Sequence, residues 1–210
     1  MNDVTIPGAR PPLDLSAAAD DDLAELLRAG IDTAHARHLR VTVHTTQQDA
    51  AREAIRAGAD GLEHGVTVEP ITDHTLIDSM LEGDVVYTPT LWADHGSHPD
   101  ARGNLAMVAD AGVTVALGSD TFCGPGLFGG NTLEEAELMV AAGMTPTQSL
   151  VAGTSAAARQ CARPDIGEVA PGKRADLILL GADPTADIRN IRELSMTIVD
   201  GKIVAPGETG

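Results

Sequence analysis

Aromatic side chains make up only 2% of this 210-residue chain. So few rings give no stacking platform for bases or single strands and no aromatic cage for a cationic ligand. Basic residues are scarce as well: 14 Lys and Arg stand against 31 Asp and Glu, a formal net charge of −17. A surface of that sign repels phosphate backbones and anionic membranes, so neither nucleic acid nor a membrane is an expected partner. The two cysteines, Cys123 and Cys161, form no CxxC or zinc-ribbon spacing. Cys123 has no base beside it in sequence and reads as a buried or incidental thiol. No signal-like start and no apolar run of membrane-spanning length occur, and a reducing cytoplasm is the expected location. The Gly-rich CGPGLFGG after Asp120 lacks the Lys and Ser/Thr of a phosphate loop and reads as a flexible rim.

What is present is enough apolar material for a core, 43% of residues, with strand and helix formers alternating. Residues 1–19, with Pro7, Pro11 and Pro12, read as a loop. Helical periodicity follows from Asp20 to about His38, then a β-branched run LRVTVHT. A helix from Gln47 to Ala57 closes at Gly58, the strand-like ADGLEH follows, and a helix near Ile71 to Leu81 precedes VVYTPTLW. A helix over Pro99 to Ala111 then leads into VTVALGSD, and helices near Thr132 to Ala142 and Pro146 to Gln160 come after. Four strands beginning near Val41, Gly61, Val85 and Val113, alternating with helices, imply parallel βαβ units. The last stretch differs: ADLILLG and SMTIVDGKIV are β-rich with no full-length helix between them. The fold class is therefore α/β, with residues 1–165 as one domain and 166–210 as a small β-rich domain.

Three short segments carry the chemistry. VTVHTT places His44, GLEHG places His64 and ALGSDT places Asp120 at the end of an apolar, strand-like run. Ligands offered from the carboxyl ends of successive strands describe the rim of a (β/α) barrel, where catalytic groups come from several strands at once. Neutral imidazole and carboxylate suit a zinc-like divalent ion. Asp120 could equally cap a helix or sit in a turn, because Gly118, Ser119 and Thr121 surround it. His35 and His38 share a helix face near a helix end, where histidine complements the dipole. His95 and His98 fall on a loop overhanging the site, read as solvated with substrate contact as the alternative.

Taken together, HTTQQDAAREAIRAGADGLEHG, VTVALGSDT, EEAELMVAAGMTPTQSLVAGTSAAAR and IGEVAPGKRADLILLGADP resemble the second half of the metal-dependent amidohydrolase superfamily. The imidazolonepropionase-like and prolidase-like members are the most similar in flavour. The resemblance runs from about Val41 to Val204. It implies a partial TIM-type (β/α) barrel corresponding to strands five to eight, followed by carboxyl-terminal strands of a β-sandwich. It further implies that His44 and His64 are metal ligands from strands five and six. Asp120 then corresponds to the strand-eight aspartate, which ligates metal and takes the proton of the attacking water. One or two divalent ions, zinc above all, are the implied cofactor. Small-molecule amides, cyclic amides or dipeptides are the implied substrates.

Two departures qualify that resemblance. The family's first strand carries an HxH pair, whereas the closest pairs here, His35/His38 and His95/His98, are HxxH. Its bridging strand-four lysine has no counterpart either, since the only lysines are Lys173 and Lys202. The chain is thus expected to begin just after that lysine, with Met1 an internal or misassigned start. Unpaired strand edges are templates for pairing, so a homo-oligomer or a complementing amino-terminal half is the expected partner. Two alternatives stay open: an inactive half-barrel serving as a structural or partner-binding module, and a metal- or ligand-binding module without turnover.

Overall fold

The computed structural model describes residues 20–121 and 129–204. The expectations for residues 1–19, for Cys123 and for most of the Gly-rich segment after Asp120 fall outside them. No helix among the described residues is long and apolar enough to cross a membrane.

Helix α1 (Asp20–His35) leads into strand β1 (Thr42–His44). The join is held by Asp60, which accepts a hydrogen bond from the Val41 N–H at 2.7 Å and shares one with His35 Nε2 at 2.8 Å. His35, in the last turn of α1 as expected, thus also serves this junction. Helix α2 (Gln48–Ala57) ends at Gly58, whose left-handed φ of 98° lets its N–H close back onto Ala54 and Ile55. Strand β2 (Gly61–Glu63), helix α3 (Thr75–Glu82) and strand β3 (Val86–Thr88) follow. The three strands are parallel in the order β1-β2-β3, with His44 level with Glu63 and Glu63 level with Thr88. All three carboxyl ends therefore lie along one edge of the sheet. Ile31, Leu62, Leu76, Met80, Tyr87, Leu105 and Val108 form the core between sheet and helices.

The short helix α4 (Leu91–Asp94) and then α5 (Asp100–Asp110) come after β3. The fourth strand expected from Val113 does not form as a ladder. One parallel bridge, Tyr87 to Val115, is made, with Tyr87 N–H donating to Thr114 O and Ala116 N–H to Tyr87 O, each at 2.9 Å. Beyond it, the Leu117 N–H donates to the Ala152 carbonyl at 3.0 Å, a helix partner instead of a strand. That carbonyl belongs to a π-helical turn, Ala152–Ala156, which separates α7 (Pro146–Val151) from α8 (Ala157–Gln160) within the single helix expected there. π-turns leave backbone groups out of the usual register and recur near functional regions. Helix α6 (Gly130–Ala141) precedes them, and Thr145 with Gln148 forms a capping box at the start of α7.

The remaining strands, β4 (Leu177–Leu180), β5 (Leu194–Val199) and β6 (Lys202–Val204), make a separate antiparallel sheet in that order. Asp200 and Gly201 join β5 to β6, both at positive φ, 50° and 74°, the pattern of a type I′ turn. A 3₁₀ turn, Ile188–Arg192, docks this sheet on α6: Ile188 is buried and Arg192 Nε donates to Glu137 Oε1 at 2.5 Å. Ile178, Leu179, Leu194 and Ile203 are all more than half exposed.

The loop after β2 is pinned from α5 by one side chain. Buried Asn104 accepts from the Ile71 N–H and donates from Nδ2 to the Val66 and Glu69 carbonyls, each at 2.8 Å. Asn104→Ala leaves these three backbone groups to whatever water enters, and a loss of about 2 kcal/mol is expected. An unchanged urea midpoint would argue that the loop is held by other contacts.

Candidate functional site

The ends of β1 and β2 and the segment beyond the Val115 bridge bring the predicted residues to one cavity of about 210 Å3, bordered by His44, His64, Thr90, Asp94, His98 and Asp120. The His44 and His64 rings meet edge to face, their centroids 4.6 Å apart and their planes at 70°. Two imidazoles so close arise because β1 and β2 are adjacent and parallel: His44 ends one and His64 follows the other by one residue. His64 Nδ1 shares a 2.7 Å hydrogen bond with Thr90 Oγ1. The bond orients the ring, and in the tautomer with Nδ1 protonated Thr90 accepts and the Nε2 lone pair is the free one. Burial, and then the neighbouring His44, hold the His64 imidazole below its ordinary pKa, against the opposing pull of Asp120 and Glu63. A neutral imidazole is the form that can donate to a metal.

The backbone is strained around this cavity. His64, Thr90 and Asp120 have φ of 65°, 48° and 48°, the left-handed region that non-glycine residues avoid. Asp tolerates it; a β-branched Thr is an outlier. Such residues persist where surrounding contacts over-determine them, and they gather at functional sites.

Three contributors, Asp94, Thr90 and Glu135, are not apparent from sequence alone. Asp94 and His98 form an i, i+4 pair, Nδ1 to Oδ1 at 2.5 Å, so His98 is tethered at the cavity rim while its side chain stays 43% exposed. His95 turns elsewhere, edge to face with Trp92 at 4.9 Å. Buried Thr90 contacts His64 directly. The third is Glu135 on α6, fully buried, whose carboxylate accepts the N–H groups of Leu91 and Trp92. Burial raises its carboxyl to about 7, against the two N–H donors that favour the charged form; neighbouring Glu134 adds to the rise. The signal for Glu135 was its register: it shares the buried face of α6 with Ala136 and Met139.

For metal chemistry the fit is partial. The two imidazoles suit a borderline ion such as zinc, and Asp120 borders the same cavity. Among the described residues, no three His, Cys, Asp or Glu side chains are gathered closely enough to hold an ion. A larger cavity, about 460 Å3, lies between Arg40, Arg159, Arg163 and Lys173. Its cations are matched by Asp60, Asp84, Asp165 and Glu168, so its charge is internally balanced.

Comparison with known proteins gives the same direction. An uncharacterized protein of Mycobacterium tuberculosis is 32% identical over 213 residues, covering 92% of this chain and 54% of its own length. Imidazolonepropionase of Streptomyces griseus is 34% identical over 176 residues, covering 79% and 41%. The crystal structure of A. niger ochratoxinase superposes with a TM-score of 0.75 at 26% identity, over 89% of this chain and 46% of that one. The chain thus spans about half the length of the relatives it matches. The profile of the amidohydrolase family matches residues 7–204, nearly the whole sequence, and the chain belongs to that family.

Proposed function

We propose that this chain carries part of a metal-dependent hydrolytic site that cleaves C–N bonds of small amides, cyclic amides or dipeptides. The observation carrying this reading is the 4.6 Å approach of His44 and His64 at adjacent parallel strand ends. In it, β1, β2, β3 and the bridged segment at Val115 correspond to strands five to eight of a (β/α) barrel, and residues 166–210 to part of a β-sandwich. His44 and His64 would hold a divalent ion, zinc above all. When bound, such an ion supplies an acidified water and a polarised scissile carbonyl. Asp120, at the rim of the same cavity, would be the carboxylate that takes up a proton from the attacking water and gives it to the leaving nitrogen. Thr90 orients the His64 ring and accepts from Nδ1 in the tautomer that leaves Nε2 free. His98, tied through Nδ1 to Asp94, presents Nε2 to whatever fills the cavity.

Donors beyond His44, His64 and Asp120 would come from further protein, either a second copy or an amino-terminal half with the remaining strands. The working compartment in this reading is the cytoplasm. One observation favours the alternative of a structural or partner-binding module without turnover: no third donor joins the two imidazoles among the described residues.

Metal content of dialysed protein, together with its turnover of small amides and dipeptides, decides between them. The hydrolytic reading expects about one divalent ion per chain, lost in the His44→Ala, His64→Ala double variant. A metal-free parent chain, or equal metal in parent and variant, would sink it and leave the structural module.

A further inference from the structure

Helix α4 reaches the candidate site from both of its ends. Thr90, the residue before it, holds His64 Nδ1 at 2.7 Å, and Asp94, its last residue, holds His98 Nδ1 at 2.5 Å. A helix of four residues cannot sustain itself, because nucleation fixes several dihedrals for a single hydrogen bond. Something else must hold it, and Glu135 does: Oε1 accepts the Leu91 N–H at 2.9 Å and Oε2 the Trp92 N–H at 2.6 Å. The preceding residue of α6, Glu134, accepts from Trp92 Nε1 at 3.2 Å.

We propose that Glu135 is a positioning residue of the candidate site: by taking the first two N–H groups of α4, it sets Thr90 against His64 and Asp94 against His98. Packing alone gives no reason for a carboxylate here, since a buried one is desolvated and an apolar residue would fill the space more cheaply. Bonds from N–H groups to a charged acceptor are about twice as strong as neutral ones. That strength falls on the residues beside Thr90, whose φ of 48° needs outside support. The rise of the Glu135 carboxyl to about 7 fits a group held where solvent does not reach. The catalytic meaning of the placement rests on the hydrolytic function proposed for the site; the placement itself does not.

Ring-nitrogen spectra of 15N-labelled protein test it without metal or substrate. Thr90→Val is expected to move the His64 signals alone, and Asp94→Asn those of His98 alone. Glu135→Gln keeps the size but turns one acceptor into a donor facing an N–H, and it is expected to move both. His35, tied to Asp60 at the opposite end of β1, is the internal reference and stays in place. Should Glu135→Gln fail to fold, Glu135→Asp retracts the carboxylate by one methylene and is expected to give the same paired displacement. Unmoved His64 and His98 signals in a folded Glu135 variant would overturn the proposal, as would equal movement of His35. A metal-free parent chain would sink the hydrolytic function yet change nothing in what these spectra show about Glu135.

Discussion

Alanine at position 65 is expected to destabilise the protein by about 4 kcal/mol, enough to unfold much of a marginally stable chain. Gly65 has φ +66°, and a Cβ there would sit 2.1 Å from the Cε2 and Cζ atoms of Tyr87. The left-handed backbone accounts for about 1 kcal/mol of the loss. Overlap with a ring that cannot retreat accounts for the rest. Tyr87 is 1% exposed, and its hydroxyl accepts the Val66 N–H at 3.2 Å, so the ring is fixed at both ends. Gly96 supplies the comparison: its φ is +71°, yet nothing lies within 4 Å of an added Cβ. Gly96→Ala should therefore lose only the backbone portion, about 1 kcal/mol. Urea midpoints of the two variants measure the difference, and equal midpoints would show that Tyr87 moves aside. Because Gly65 directly follows His64, any such relief also displaces a candidate ligand.

The second large effect is a fall in stability as pH rises from about 4.5 to about 7. Glu135 has a folded pKa of about 7 against an ordinary value of 4.5, raised by burial despite the N–H groups of Trp92 and Leu91 and further by Glu134. The folded state then holds the proton more tightly than the unfolded one. The contribution is fully present below 4.5 and is lost as pH climbs through 7, by about 3 kcal/mol. Asp165 and Asp187, each held near 2 by a neighbouring arginine, titrate below this window. His64 works in the opposite sense, since a depressed imidazole gains stability as pH rises toward 6.5. The informative quantity is therefore the difference between parent and Glu135→Gln, with urea midpoints taken at each pH. That difference should slope between about 4.5 and 7 and run flat above. A flat difference throughout would mean that Glu135 is already ionised at low pH. Ionised Glu135 grips α4 most firmly, so the site is best defined under conditions where the fold is weaker.

The helices and the parallel order were legible because apolar spacing and glycine stops are local signals. Gly58 closes α2 where the pattern ends, and His44 and His64 fall at strand ends as their flanking Val and Leu residues foretell. The fourth strand was overestimated: VTVALG is as apolar as its neighbours, but a strand exists only where a partner runs beside it, and here Tyr87 alone pairs, with Val115. α4 has four residues, too few for a period of 3.6 to show. Asp94 and His98 were visible as i, i+4 partners only once a turn was known to connect them. Glu135 was hidden by type, since an acidic residue in an amphipathic helix reads as solvent-facing whatever its register. Three residues at left-handed φ were invisible for the same reason: His, Thr and Asp carry no local signal for it as glycine does.

The Asp200–Gly201 connection bears on the order in which the chain acquires structure. A two-residue loop already matched to strand twist lets β5 and β6 zip within microseconds, with almost no chain to close. Pairing β1 with β2 instead joins Thr42 to Gly61 across an intervening helix, and β2 with β3 joins Gly61 to Val86. Those closures carry a larger entropy loss before any contact rewards them. During synthesis this quick hairpin thus leaves the ribosome later than the slow parallel pairs, which have been waiting in the open.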